Sequence, residues 1–287
     1  MSLLKQFIKY QSLGNDFIIF DWFKKPALFV KAELQSDQFT AFIQNICDRH
    51  IGVGADGVLI ITAHPVRGMP EMIVYNADGS NGQMCLNGLR CVAHHLFLAY
   101  HFPEHFQIQL ADRVIDCNIA KVSGATEIVT RIGTALVLGE QEITVLAGKI
   151  TGSVVTVGNP HFIVFDQPTI VWLQAHGSSI ETHPAFPNKT NVEFIWELAS
   201  DQRPAGFDRA YGMLVHERGC GITQACSSGA SAVAGLLHAQ HKLTVDEKIG
   251  IVMPGGSVAA WVEHDGTIAL QAGAQRVFAG ELADEQI

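Results

Sequence analysis

Two cysteines carry the chemistry that this sequence offers. Cys85 stands in Met84-Cys85-Leu86-Asn87-Gly88-Leu89-Arg90-Cys91-Val92-Ala93, and Cys226 in Ala225-Cys226-Ser227-Ser228-Gly229-Ala230-Ser231-Ala232-Val233-Ala234, with Cys, Gly, Val and Ala at the same offsets. Each cysteine lies just before, or in the first turn of, a run with helical character. Unpaired backbone N–H groups and the helix dipole favour an anion there, which moves a thiol toward thiolate at neutral pH. Gly88 and Gly229 let the backbone approach a ligand closely. Each segment is therefore an anion cradle with a potential thiolate beside it. Two such cradles facing each other across an interdomain cleft would grip one carboxylate and put a thiol on either side of its α-carbon.

Other chemistries fit less well. A lone free cysteine is most often a small buried hydrophobe, and Cys47, Cys91, Cys117 and Cys220 are read that way. The repeated context sets Cys85 and Cys226 apart. No Cys-x-x-Cys pair accompanies them, so no metal is expected. The histidines, His94 and His95 included, read mostly as surface or helix-face residues. Gly52-Val53-Gly54-Ala55-Asp56-Gly57 is glycine-rich but lacks the Lys-Ser/Thr ending of a phosphate loop and the spacing of a dinucleotide fingerprint. A bend before the strand Val58-Leu59-Ile60-Ile61 accounts for it.

The elements that must hold the cysteines repeat as well. The two cysteines are 141 residues apart, and the same shift carries Met72 onto Met213, Val74 onto Val215 and Asn76 onto Glu217. A second match pairs Leu13-Gly14-Asn15-Asp16-Phe17-Ile18-Ile19-Phe20-Asp21 with Val157-Gly158-Asn159-Pro160-His161-Phe162-Ile163-Val164-Phe165-Asp166, one inserted residue apart. Two matches in the same order indicate an internal duplication. The first half reads as a strand, turn and strand over 7–20, a helix over 33–49 capped at Ser36, strands at 58–61 and 72–75, a turn at 76–80, and a helix from Cys85 to about Tyr100. Strands are expected at 107–110, 114–119, 127–131, 136–138 and 142–146. The second half follows with strands at 153–157 and 162–165, a helix near 169–175, strands at 192–196 and 212–216, and a helix over 228–239. Strands at 249–253, 257–263 and 267–271 close it. This is an α+β chain of two similar domains, each with a helix packed on its sheet.

At 287 residues the chain suffices for about two domains, and with 48% hydrophobic and 16% charged residues it is globular. A net charge of −9 without long charged runs argues against a nucleic-acid partner. No apolar run reaches a membrane span, and the first residues lack signal-peptide features, so no membrane partner and a cytoplasmic location are expected.

Taken in order, the motifs resemble those of the diaminopimelate epimerase family, the cofactor-independent two-cysteine amino-acid racemases, over nearly the whole chain. They are Ser12-Leu13-Gly14-Asn15-Asp16-Phe17, Asp48-Arg49-His50 with Gly52-Val53-Gly54-Ala55-Asp56, and Asn76-Ala77-Asp78-Gly79-Ser80 leading to Cys85. Gly158-Asn159-Pro160-His161, Asn191-Val192-Glu193-Phe194 and Glu217-Arg218-Gly219 leading to Ala225-Cys226 follow. Pro254-Gly255-Gly256 and Val277-Phe278-Ala279-Gly280 finish the set. The resemblance implies two pseudo-symmetric domains from a duplication, each a curved, mostly antiparallel sheet around a central helix, with the active site in the interdomain cleft. The expected halves are 1–121, with the tail 274–287 returning to it, and 122–273. It also implies epimerisation of LL-diaminopimelate to the meso form without a cofactor, and an amino acid as small-molecule partner of a possible homodimer. By position, Cys85 and Cys226 become the acid/base pair, with His161 and Glu217 beside them. The reacting carboxylate would lie on the amides around Leu86, Asn87, Ser227 and Ser228. The ammonium would face Glu217 and the Arg218 backbone, and the far end of the substrate would meet Asn15, Asn76, Asn159, Asn191 and the Arg218 side chain.

Three positions depart from the family pattern: Leu86 and Ser227 stand where glycine follows each cysteine, and Gly221-Ile222-Thr223 replaces Gly-Glu-Thr. They leave open an epimerase or racemase of another amino acid, or a catalytically silent amino-acid-binding protein. A pyridoxal-phosphate racemase would need a Schiff-base lysine in a phosphate frame, which nothing in the sequence suggests.

Overall fold

The computed structural model describes residues 4–25, 34, 36–64, 67–82, 84–122 and 124–283. The chain forms two units, Met1–Thr130 with Gly273–Ile287, and Arg131–Ala272. A division at 121/122 would fall inside a strand that ends at Val122 and would detach the strand after it. Parts of the expected first helix (33 and 35), of the amino-terminal stretch (1–3) and of the tail (284–287) lie outside the described residues.

The first unit contains β1 (Gln6–Ser12), β2 (Asn15–Asp21), α1 (Asp37–Cys47), β3 (Gly57–Ala63), β4 (Pro70–Asn76), the short β5 (Asn81–Gly82), α2 (Leu86–Tyr100), β6 (His105–Leu110), β7 (Arg113–Val122) and β8 (Ala125–Arg131). The second contains β9 (Leu136–Val145), β10 (Gly148–Thr156), β11 (Pro160–Phe165), α3 (Ile170–Glu181), β12 (Asn191–Glu197) and β13 (Ala210–Glu217). It continues through β14 (Gly221–Ile222), α4 (Ser227–Ala239), β15 (Ile249–Met253), β16 (Gly256–Val262) and β17 (Ile268–Gly273). The last strand, β18 (Gln275–Glu281), pairs antiparallel with β1, Gln6 opposite Glu281.

The two units share one strand plan. In the first the order is β18-β1-β2-β3-β4-β6-β7, parallel at β2/β3 and β4/β6 and antiparallel elsewhere. In the second it is β9-β10-β11-β12-β13-β15-β16, parallel at the two equivalent places, β11/β12 and β13/β15. The duplicated sequence is thus a duplicated, mostly antiparallel α+β fold.

Each sheet is covered by a helix on either face, which is why its middle strands lack the alternation of a half-exposed strand. In β3, Val58 and Ile60 join Phe39, Ile43 and Ile46 of α1 in one core. Leu59 points to the other face, where a Cβ on Gly88 of α2 would meet its methyls at 3.0 Å. In β12, Val192 and Phe194 join Leu173 and Ile180 of α3. Glu193 points to the opposite face, against Gly229 of α4. The inner helices α2 and α4 are mostly buried; α2 packs on β1, β2, β3, β4 and β18, and α4 on β9, β10, β11 and β16.

Helix starts follow side-chain capping. Ser36 accepts a hydrogen bond from Phe39 N at the head of α1, and Thr169 from Trp172 N at the head of α3. The glycine-rich stretch closes α1: Val53 N and Gly54 N donate to Ile46 O and Ala55 N to Cys47 O, so these amides are committed to the helix end. Gly52 has to be glycine, since a Cβ would lie 2.1 Å from Asn45 O.

Helix α3 runs well past 175. Gly177 and two serines lower its propensity, but Gly177 lies so close to His216 that a Cβ would come 2.4 Å from its ring. The expected strands 136–138 and 142–146 are one strand, bent where Gly139 takes a φ of 121° and the register against β10 shifts. Strand β18 is largely exposed, which hid it from periodicity. Among the described residues no helix is long and apolar enough to cross a membrane.

Candidate active site

In each unit the cysteine is the N-cap of the inner helix. Cys85 Sγ accepts from Gly88 N at 3.3 Å, and Cys226 Sγ accepts from Gly229 N at 3.3 Å. A thiol sulfur thus does at both helices what a serine hydroxyl does at ordinary ones. Glycine at the third helical position leaves room for this: a Cβ at 88 would come 3.1 Å from the Cys85 sulfur.

Around Cys85 the polar groups form a chain within the first unit. Asn87 Nδ2 reaches Asn15 Oδ1 at 3.4 Å, and Asn15 Nδ2 donates to Asp56 Oδ2 at 2.6 Å. Arg90, fully buried, donates from Nε to Ser12 Oγ at 3.0 Å and from Nη2 to Asn87 Oδ1, while its charge faces Cys85 and Cys91. Asn15 and Asn87 are therefore brought together and oriented from behind. Asn76 instead closes its own turn, donating to Ser80 Oγ at 2.9 Å. Leu86 is buried, so its bulk occupies interior space.

Around Cys226 the second unit assembles a denser set. His161 Nδ1 lies 2.7 Å from Glu193 Oε1, and both side chains are 0% exposed. His161 Nε2 lies 3.1 Å from Asn159 Oδ1, Asn159 Nδ2 donates to Ser228 Oγ at 3.3 Å, and Ser228 Oγ is 3.4 Å from Cys226 Sγ. Glu217 accepts from Thr223 Oγ1 and from the Cys226 thiol. Burial pushes the Glu217 carboxyl up, against those two donors. Asn191 Oδ1 receives Arg218 N at 3.0 Å, while Arg218 Nη1 reaches Asn188 O at 3.3 Å. Ser227 is buried in the first turn of α4.

The expectation of a thiol lowered by its helix terminus does not hold for Cys226. Burial, then the charges of Glu217 and Glu193, push its thiol well up, and the Ser228 and Gly229 hydrogen bonds oppose them only in part. Burial and the two carboxylates thus both favour the thiol form of Cys226.

Of the remaining cysteines, Cys47, Cys91 and Cys117 are buried, and burial raises Cys47 and Cys117 to about 12, out of reach of thiolate chemistry. Cys220 is exposed, against expectation, because it follows the outward turn at Arg218-Gly219. His95 is buried too, 2.8 Å from Asp21 Oδ2. Among the described residues no group of three or more His, Cys, Asp or Glu side chains could hold a metal ion.

The sequence profile of the family described as diaminopimelate epimerase matches residues 7–137 and 153–277. The chain belongs to the diaminopimelate epimerase family. Membership makes it an isomerase. It is 33% identical over 291 residues to the diaminopimelate epimerase of Carboxydothermus hydrogenoformans, covering 96% of this chain and 98% of that one. With the diaminopimelate epimerase of Pelotomaculum thermopropionicum it shares 34% identity over 302 residues, covering 96% and 98%. The same fold is seen in a hydroxyproline epimerase from Agrobacterium vitis (TM-score 0.72, 12% identity, 97% of this chain and 90% of that one). A probable proline racemase from Agrobacterium radiobacter has it too (TM-score 0.71, 13% identity, 98% and 93%).

For this member of the diaminopimelate epimerase family, sequence reasoning passed over Glu193, Thr223, Arg90 and Asp56, all of which touch a candidate residue. Glu193 had a signal: it is the one carboxylate in the apolar run Val192–Ile195. Arg90 likewise stands alone among apolar neighbours in α2.

Proposed function

We propose that this chain converts LL-diaminopimelate to the meso isomer by two-base proton transfer at the α-carbon, supplying lysine and peptidoglycan precursors. The observation that carries the reading is the recurrence, in both units, of a cysteine sulfur as N-cap of a buried helix. Such a cap sets the sulfur beside backbone N–H groups at the positive end of the dipole. An α-carboxylate bound at Leu86, Asn87, Ser227 and Ser228 amides places its α-carbon next to sulfur. The ammonium meets Glu217, whose carboxylate form is favoured once a cation is bound. Asn15, Asn76, Asn159, Asn191 and Arg218 bind the distal zwitterion, the kind of group a polar, bidentate clamp recognises.

The α-proton of an amino acid is very weakly acidic, so without an electron sink the carbanion is stabilised by fixed dipoles in a dry site. Cys85 and Cys226 take opposite faces of that carbon: one, as thiolate, removes the proton while the other, as thiol, delivers a new one. Cys226 is equipped for both states. Its S–H donates to Glu217, and its sulfur receives Gly229 N and faces the Ser228 hydroxyl.

In deuterated water at low conversion, product formed from LL-diaminopimelate carries deuterium at the α-carbon while recovered substrate stays protiated. Cys85→Ala and Cys226→Ala each remove nearly all epimerisation. Protium retained in the product, or strong residual activity in either variant, refutes the two-thiol mechanism. A panel of other amino acids with chiral product analysis tests the substrate.

A further inference from the structure

Because the units share a strand plan, each position in one has a counterpart in the other. In the first unit Ile19 lies opposite Leu59, and Leu59 opposite Val74; in the second Ile163 lies opposite Glu193, and Glu193 opposite Val215. Phe17 precedes Ile19 by the same step as His161 precedes Ile163. Where the first unit packs Phe17 and Leu59, the second therefore buries an imidazole and a carboxylate. Withdrawing two charges from water is costly, and a hydrocarbon pair of similar volume is often as stable or more so. The sister unit shows that this architecture accepts the hydrocarbon pair, so stability does not explain the polar one.

The hydrogen bonds have a direction. His161 Nδ1 faces a carboxylate oxygen at 2.7 Å and Nε2 faces an amide oxygen at 3.1 Å. Both are acceptors, so the site offers each ring nitrogen an oxygen to receive a hydrogen. Asn159, its oxygen engaged, donates through Nδ2 to Ser228 Oγ. The Ser228 hydroxyl hydrogen is then left for Cys226 Sγ, 3.4 Å away. Every donor from His161 onward is aimed at the sulfur. Beneath this chain Glu193 is held in place by Gly229, where a Cβ would come 2.7 Å from Oε1.

We propose that Glu193 is a positioning residue for Cys226: by holding His161 doubly protonated, it orients the His161–Asn159–Ser228 chain to end in a hydrogen bond to the Cys226 thiolate. The inference rests on the reading of Cys226 as an acid/base. With glutamine at 193 the ring is neutral and Nε2 becomes an acceptor. Asn159 then turns to donate to Nε2, its oxygen takes the Ser228 hydrogen, and the sulfur loses a donor. The other titratable groups around the pair are Glu217 on β13 and Cys226 itself at the head of α4. The Glu193 charge raises both, but on this proposal Glu193→Gln removes the opposing His161 charge with it, so the net charge facing them is unchanged.

The test is nitrogen-15 NMR of imidazole-labelled full-length protein at neutral pH, with the His161 signal assigned by its loss in His161→Phe. Alongside it, kcat/KM is followed across pH. In the wild type both His161 nitrogens carry a proton; in Glu193→Gln one does not. The variant's kcat/KM falls about ten- to a hundredfold at neutral pH, the worth of a hydrogen bond to a charged group. The loss shrinks at alkaline pH, where the unassisted thiolate forms. The double variant His161→Phe/Glu193→Leu, which copies the first unit, folds with a Tm at or above the wild type. A singly protonated His161 in the wild type, an unchanged ring and rate profile in Glu193→Gln, or a double variant that cannot fold overturns the proposal. Cys226→Ala that kept its activity would instead sink the acid/base reading itself, whatever the NMR shows for Glu193.

Discussion

The glycines at 88 and 229 occupy equivalent places in the first turns of α2 and α4, yet alanine should affect them very differently. At Gly229 a new Cβ would come 2.7 Å from Glu193 Oε1 and 3.0 Å from its Cγ, too close for the carboxylate to stay where it is. At Gly88 it would meet two Leu59 methyls at 3.0 Å and the Cys85 sulfur at 3.1 Å, contacts that a few tenths of an ångström relieve. Alanine in place of glycine gains up to about 1 kcal/mol of helix propensity at either site. Overpacking costs about 1–3 kcal/mol, and, with His161 charged as proposed above, prising Glu193 off it costs about 3–5 kcal/mol. Gly88→Ala should therefore be near neutral, within about 1 kcal/mol, while Gly229→Ala loses about 2–4 kcal/mol on the same reasoning. Urea unfolding gives the totals, and hydrogen exchange of the α2 and α4 amides assigns each loss to its own unit. Equal stabilities for the two variants would refute the argument, because it rests entirely on what lies under each glycine.

Asp16 is pushed up by burial, but Arg49 and Lys9 together outweigh this and hold its carboxyl at about 2. A depressed carboxylate contributes stability above its unfolded value of about 4 and loses it as pH falls through the folded one. Wild-type protein should therefore give up about 2 kcal/mol between pH 4 and pH 2 through this group, and Asp16→Asn should lack that component in urea titrations. Arg90→Met leaves Ser12 and Asn87 without their buried donor and should cost about 2–4 kcal/mol in unfolding free energy; a loss under 1 kcal/mol would show that its neighbours rearrange. Thr223→Val removes a donor that opposes the upward push on Glu217. The acid limb of kcat/KM should then move to higher pH, and an unmoved limb would mean that Glu217 does not act as a carboxylate.

The duplication was legible because both copies keep cysteine, glycine and small residues at the helix starts, where geometry tolerates little else. The strand plan followed from short apolar runs, since a sheet covered on both faces writes itself as Val, Ile, Leu and Phe. Strand β18 escaped because an exposed edge leaves no buried face to read, and α3 seemed short because Gly177 is chosen for the His216 ring against it. The site was half legible. Cys85, Cys226 and the asparagines announce themselves by motif, whereas Glu193 and Arg90 act by lying beneath other residues, and burial of a charge has no periodicity. The effect of the carboxylates on Cys226 was likewise invisible, since Glu193 and Glu217 reach it from two different strands.

Strand β18 has one more implication, for how the molecule is made. In the second unit the strand beside β10 is β9, its immediate neighbour in the chain, joined by a tight hairpin. In the first unit the equivalent place beside β1 is filled by residues 275–281, synthesised after the whole second unit. At about 5–20 residues per second on the ribosome, the edge of β1 waits many seconds for its partner, while the second unit can close as soon as it emerges. An unpaired strand edge is a template for other chains. The first unit is therefore the one whose nascent form needs shielding, and a chain cut short before β18 would expose the same edge permanently.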